Sequence, residues 1–464
     1  MEVLEFIYQQ QTLSTNYRFV LSACSKHKKY IDQGLNALKK VILLLFAAML
    51  VLSACSGGSN ESAASDPSKK EITIWAWDRN FNVAALEVAK ELYVSKHPDV
   101  TINIIENAQD DIVQKLNTGL NSGTTKGLPN IVLIEDQRAQ NFLQSYTDSF
   151  RDMSDKIKPG DFADYKIGAT SLDGKQYGIP FDSGVTGLFV RTDYLQEAGY
   201  TMDDLQDITW DQYIEIGKKV KEKTGKFMLT QDPKDLGILR MMAQSAGKWY
   251  MKDDGKTPDL ADNPALKEAM ETYKKMMDAN IIDSHADWAQ FVAKVNSGDV
   301  ASVPTGNWFV ASIKAEASQS GKWAVAPFPR LTNNADSVNA SNLGGSSWYV
   351  LNMDGSDTAA DFMTETFGSD PQMYQKLLTD IGVVGSLNAA STGSAYDAED
   401  AFFSNQKIYT DFAKWSQSVP RVNYGLHTYA IEDIMAVAVQ SYLGGTDLDT
   451  ALKDAQAQAE AQLK

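Results

Sequence analysis

Cysteine is nearly absent from this chain: two residues, Cys24 and Cys55, in 464. That excludes a disulfide-framed scaffold and a zinc site built from thiolates. Histidine is as sparse, with His27, His97, His285 and His427 far apart in sequence, so a histidine-rich metal centre is not expected. Positive charge is in deficit: 43 Lys and Arg stand against 60 Asp and Glu, a net charge of −17. Nucleic acid is therefore not an expected partner, because phosphate recognition needs clustered basic side chains. No apolar run reaches the ~20 residues of a membrane-spanning helix. The sequence also lacks a phosphate-cradling glycine loop ending in Lys-Ser/Thr, a Gly-x-Ser-x-Gly elbow and a His-Glu-x-x-His pair. No cofactor is expected.

Aromatic and ordinary core residues are plentiful. Nine Trp, 19 Tyr and 18 Phe accompany a 43 % hydrophobic content. A single core rarely grows past ~250–300 residues, so a chain of this length implies two packed domains.

The longest apolar run is short and lies near the start. Lys39-Lys40 precedes Val41 to Leu52, and Ser53-Ala54-Cys55 follows. A basic segment, a short apolar stretch and small residues before a break read as a secretory signal. Leu52-Ser53-Ala54-Cys55 resembles a bacterial lipobox, in which the cysteine becomes the lipidated first residue. Cys55 is thus the expected lipid anchor, on the extracytoplasmic face of the cell membrane. Ser56 to Lys70 is Gly/Ser/Asn-rich and polar, as a flexible tether would be. Residues 1–38 do not read as a signal, and translation is expected to start nearer Leu38.

Beyond Lys70 the pattern alternates between strand and helix. Glu71–Trp77 alternates at period 2, and Ala85, Leu86, Ala89, Leu92 and Tyr93 recur at helical spacing up to His97-Pro98. Val100–Glu106 is a strand, Asp110–Leu120 a helix, and Ile131–Ile134 a buried strand. This β-α-β-α-β opening predicts a parallel, doubly wound sheet. Long helices are expected at 209–223, 262–279 and 287–296.

In open parallel sheets, ligands sit beyond the carboxyl ends of the strands. Those ends offer Trp77 and Asp78; Glu135, Asp136 and Arg138; Asp182; Asn307 and Trp308; Gly345 and Ser346; and a late loop of Asn423 and Tyr424 with Tyr429 after it. Rings beside carboxylates and amides suit a sugar. Its C–H faces stack on aromatics and its hydroxyls need acceptors and forked donors. Each residue also has a structural reading: a strand Trp as core, Glu135-Asp136 as helix-start acids favouring the dipole. Carboxylates at 135, 136 and 182 could equally serve a glycosidase.

With those residues in view, the chain resembles bacterial ABC-transporter extracellular solute-binding lipoproteins of the carbohydrate class, which include the maltose-type binding proteins. The resemblance rests on Ile72–Trp75, His97-Pro98, Gly127–Asn130 running into Ile131–Ile134, Gly178–Asp182, Gly187–Arg191, Thr209-Trp210 and Gly306–Trp308. The Asn342–Trp348 run is especially similar to lactose- and arabinose-type sugar binders. The resemblance implies an α/β, periplasmic-binding-protein-like fold: two lobes, each a doubly wound sheet flanked by helices, joined by a hinge. Lobe one is expected at 71–181 plus 329–382 and lobe two at 183–327 plus 386–464. Crossings are expected near Phe181–Gly184, Val325–Pro329 and Gly382–Ser386. It further implies a monomer, a carbohydrate ligand, and ABC permease subunits as partners. The ligand contacts would come from segments holding Asp78, Asp136, Arg138, Asp182 and Trp308, and the late Asn423/Tyr424 loop, with Tyr429, is similar to the family's last aromatic contact. A secreted glycoside hydrolase or lyase, or a sugar sensor feeding a membrane receptor, are the competing readings.

Overall fold

The computed structural model describes Lys70 to Leu463. The apolar run, the lipobox with Cys55, and the tether up to residue 69 lie outside the described residues.

The opening follows the alternation of the sequence. Strand β1 (Lys70–Ala76), a helix at Asn82–Val94, strand β2 (Val100–Glu106), a helix at Gln109–Asn121 and strand β3 (Ile131–Glu135) run as parallel β-α-β units. A small hairpin, β4 (Ser171–Leu172) with β5 (Lys175–Gln176), precedes β6 (Gly178–Asp182). Strand β7 (Thr186–Arg191) begins a second sheet, and β8 (Leu229–Gln231) pairs in parallel with β9 (Ile282–Ser284). Strands β10 (Ser302–Gly306) and β11 (Trp323–Pro327) flank β7, both antiparallel to it. Strand β12 (Ser346–Val350) returns to the first sheet, whose order is β2-β1-β3-β12-β6.

Both faces of the first sheet are covered, and side-chain alternation decides which residue faces which layer. Ile72, Ile74, Ile131, Leu133, Trp348 and Val350 join one core with helices 82–94, 356–365 and 371–381. Trp75, Val132, Ile134 and Tyr349 join the opposite core with Leu116 and Phe142. The second sheet is sandwiched likewise: Leu188 and Val190 face the core around Trp210, Phe189 and Val325 the core around Phe309 and Phe412. Strand direction departs from the all-parallel expectation. β12 is antiparallel to both β3 and β6, and β10-β7-β11 alternates in direction. The parallel doubly wound motif is confined to β1–β3 in the first sheet, because β12 arrives from the second sheet rather than through a helical crossover.

Local signals set the helix starts. Thr209 forms a capping box with Gln212, Asn263 caps Leu266 N at 3.1 Å ahead of Pro264, and Asp287 caps Gln290 N at 2.8 Å.

The chain passes between the two sheets along one seam. Ser183–Val185 links β6 to β7. Leu343–Gly345 leads back into β12 and runs beside it, with Leu343 N donating to Gly184 O at 2.8 Å. The expected crossing at Val325–Pro329 does not occur there. Residues 329–342 stay on the second sheet's side: Arg330 N donates to Ile208 O, Asn339 Nδ2 to Phe328 O, and Ser341 Oγ to Met241 O at 2.7 Å. Val384–Ser386 does border the seam, as Ser183 N reaches Val384 O and Ser386 N reaches Phe181 O. Yet Leu387, Ala390 and Tyr396 remain in the first core, and the chain joins the core around Phe412 only at Phe402.

Candidate functional site

The carboxylates read from the strand ends divide into two groups. Asp136 and Asp182 are buried, at 1 % and 5 % exposure. They form an internal charge cluster with Lys166, a residue sequence reasoning did not flag. Lys166 Nζ donates to Asp136 Oδ2 at 2.5 Å and to the carbonyls of Asp182 and Ser346 at 2.8 Å each. Asp136 also accepts from Ser347 Oγ at 2.8 Å, and Asp182 from Ser346 N and Oγ. All three ammonium protons are used. Burial pushes the Asp136 carboxyl up to about 6, against the pull of Lys166; burial raises Asp182 too. These two acids, and Ser346 with them, tie the seam together instead of facing an open cleft. Gly345 belongs to the same seam. Its φ is +84°, and a Cβ there would sit 2.9 Å from Asp136 Oδ2, so only glycine fits.

A second group meets across the two sides of the seam. Glu135 and Arg138 flank the start of helix 136–146, and Tyr429 opens helix 428–443. Tyr429 donates to Glu135 Oε2 at 2.6 Å, Arg138 lies 3.9 Å over the Tyr429 ring, and Arg138 pairs with Glu135 at 3.3 Å. Burial and the Glu135 charge raise the Tyr429 phenol well above its ordinary value. Beside them Arg240 donates to Gln137 Oε1 at 2.5 Å while pairing with Glu432 at 3.3 Å.

Trp308 follows β10 and is fixed by its indole N–H, which donates to Leu343 O at 2.8 Å. It lines a cavity of about 260 Å³ beyond the ends of β8 and β10. Trp288 and Phe291 continue the aromatic wall, Trp288 5.9 Å from Trp308 and His285 stacked 5.0 Å from Phe291. Asp232 and Asp235 line the same cavity. Sequence reasoning missed this side. β8 is three residues long and gave no period-2 signal, although Asp232 obeys the strand-end rule. Trp288 follows the Asp287 cap, a position that a helix start alone explains.

The remaining expected residues lie elsewhere. Asp78 is exposed and caps its own turn, accepting from Asn80 N at 2.9 Å and Phe81 N at 3.2 Å; Trp77 beside it is half-buried against both cores of the first sheet. Asn307 is buried, with its amide nitrogen unpartnered. Tyr424 is core: it is 1 % exposed, 4.8 Å from Trp249, and accepts from Asn342 Nδ2. Asn423 braces its loop through Asp253 O and Gly425 N. A larger hollow of about 890 Å³ runs past Asp211, Glu215 and Lys275 on the outer face of helices 210–224 and 264–278, away from every strand end named above.

Comparison with known proteins agrees with this architecture. Residues 89–404 match the family described as bacterial extracellular solute-binding protein. The chain is 46 % identical over 395 residues to the lactose-binding protein of Rhizobium radiobacter, covering 85 % of this chain and 93 % of that one. It is 26 % identical to the arabinooligosaccharide-binding protein of Bacillus subtilis (strain 168), over 67 % of this chain and 72 % of the relative. Among solved structures, the sugar-binding protein MalE from Xanthomonas citri superposes with a TM-score of 0.71 at 19 % identity, over 85 % of this chain and 97 % of that one. The GacH receptor of Streptomyces glaucescens gives 0.67 at 17 %, over 85 % and 98 %. With a family match over more than half its length and a relative this similar along nearly all of its own, the chain belongs to the bacterial extracellular solute-binding proteins.

Proposed function

We propose that this protein is the substrate-binding component of an ABC sugar importer. The reading rests above all on the aromatic wall of Trp308 and Trp288 facing Asp232 and Asp235 beside the seam. A pyranose ring would lay its apolar face on the indoles and offer its hydroxyls to the carboxylates, Gln231 and His285. Glu135, Arg138 and Tyr429 would meet it from the first sheet's side. Closure is driven by the ligand's greater affinity for the closed arrangement. The closed form then docks on membrane permease subunits. The lactose-binding relative makes a disaccharide such as lactose the first candidate.

In this reading the first lobe comprises 71–182 with 346–396 and the second 186–342 with 402–463. Cys55 carries the lipid, and the tether holds a monomer at the extracytoplasmic face. The chain captures sugar without chemistry.

A thermal-shift screen of mono- and disaccharides headed by lactose tests the proposal. A ligand at 100 times its Kd adds about 2.7 kcal/mol to the native state, a readily measured rise in Tm. A rise with at least one sugar and no product release from oligosaccharides is expected. No rise with any sugar, or hydrolysis, would overturn it.

A further inference from the structure

The cavity's lining is one-signed. Asp232, Asp235 and Asp287 face it, and no lysine or arginine is among its lining residues. Of the neighbouring cations, Lys234 is exposed on the same loop and outside the lining, and two others are already engaged. Arg240 stands behind Asp235 at 3.8 Å and is shared with Glu432, and Lys294 pairs with Asp283 at 2.5 Å. His285 adds no positive charge at neutral pH: burial holds it below its ordinary value, and its Nδ1 is engaged with Thr230 Oγ1 at 2.8 Å. The opposite wall is aromatic, and the faces of Trp288 and Trp308 carry the negative side of the ring quadrupole. Both walls therefore disfavour an anion and favour a neutral or cationic group.

We infer that this cavity selects its sugar by charge, accepting neutral glycosides and amino sugars and excluding uronates and sugar phosphates. The inference rests on the sugar-receptor reading and adds the substrate class to it. A carboxylate on the ring would have to lie close to three like charges, of which Asp235 and Asp287 are exposed, so the repulsion is short-ranged and screened by salt. An ammonium would gain from the same carboxylates and from the indole faces.

The test compares lactose, or the neutral sugar giving the largest thermal shift, with its uronate and its 2-amino counterparts by calorimetry at 20 and 300 mM salt. The uronate should bind at least tenfold more weakly than the neutral sugar at low salt, and the gap should shrink at high salt. The amino sugar should bind at least as tightly as the neutral one. In the double variant Asp232→Asn/Asp235→Asn, the neutral-to-uronate ratio should fall below threefold. If neutral sugars bind and the uronate binds within threefold of them in the unmodified protein, or if salt leaves the ratio unchanged, charge selection is wrong. If no neutral sugar binds but a uronate does, charge selection fails while the sugar-receptor reading survives. If neither binds, the receptor reading fails, and charge selection with it.

Discussion

Replacing Lys166 by Met removes one charge from the seam at nearly constant side-chain volume. The variant leaves Asp136 buried with Ser347 as its one side-chain donor and takes a donor from the carbonyls of Asp182 and Ser346. Breaking a buried pair this way costs about 3–5 kcal/mol. The stranded carboxylate has one escape, which is to bind a proton. Protonating a carboxyl of ordinary acidity costs about 1.4 kcal/mol per pH unit, so about 5 kcal/mol at pH 7.5 but about 1.5 kcal/mol at pH 5. The sign follows from linkage. The folded variant, without Lys166, holds the Asp136 proton more tightly than the folded parent, whose carboxyl already stands at about 6, so the deficit between them grows as pH rises above about 6 and levels off below it. Urea unfolding of the parent and Lys166→Met at pH 7.5 and pH 5.0 measures both costs. We expect about 4 kcal/mol at the higher pH and about 2 kcal/mol at the lower. Adding Asp136→Asn to the Lys166 variant should recover at least half the loss at pH 7.5. A cost under 1 kcal/mol at pH 7.5, or one that does not change with pH, would refute the account of the seam as a charge cluster closed by Lys166.

Two further predictions concern binding. Trp288 is 55 % exposed, so Trp288→Ala should leave the unfolding free energy within about 0.5 kcal/mol of the parent. Sugar affinity, measured by calorimetry, should nonetheless fall about fivefold, since a stacked ring contributes on the order of 1 kcal/mol; unchanged affinity would place the sugar elsewhere. The pair Gln137→Leu and Tyr429→Phe removes two hydrogen bonds joining the sides of the seam. At about 1 kcal/mol each, the double variant should bind sugar about 30-fold more weakly and show a larger radius of gyration by solution scattering; equal radii and equal affinity would show that these bonds do not hold the two sides together.

Much of the first sheet was legible because its signals are local. β1, β2 and β3 carry period-2 or continuous apolar runs with helical spacing between them, and Thr209, Asn263 and Asp287 announce their helices as caps. What sequence could not supply was pairing. Nothing in Ser346–Val350 says that this strand inserts antiparallel between β3 and β6, because strand direction is set by where the chain has been, not by the residues of the strand. The crossing that the resemblance implied at Val325–Pro329 falls near residue 343 for the same reason: the contacts that hold 329–342 to the second sheet are made with partners some 90 to 130 positions away, such as Ile208 and Met241.

The strand-end rule could not separate a carboxylate left near the surface of the seam from one aimed at a lysine. Asp136 and Asp182 obey the rule as well as Glu135 does, and what separates them is Lys166 on a helix that packs beneath the seam. Trp308 shows the other side of that coupling. Its indole N–H is spent on Leu343 O, the carbonyl that immediately precedes Gly344 and Gly345, whose φ values of +78° and +84° turn the chain into β12. The ring proposed to stack on the sugar is thus bonded to the segment that carries the chain between the two sheets. Any rotation at Gly344 or Gly345 displaces the Leu343 carbonyl and, with it, the tilt of the indole. In the proposed binding mode, a sugar stacked on that face would favour one setting of the two glycines and, through them, one arrangement of the two sheets.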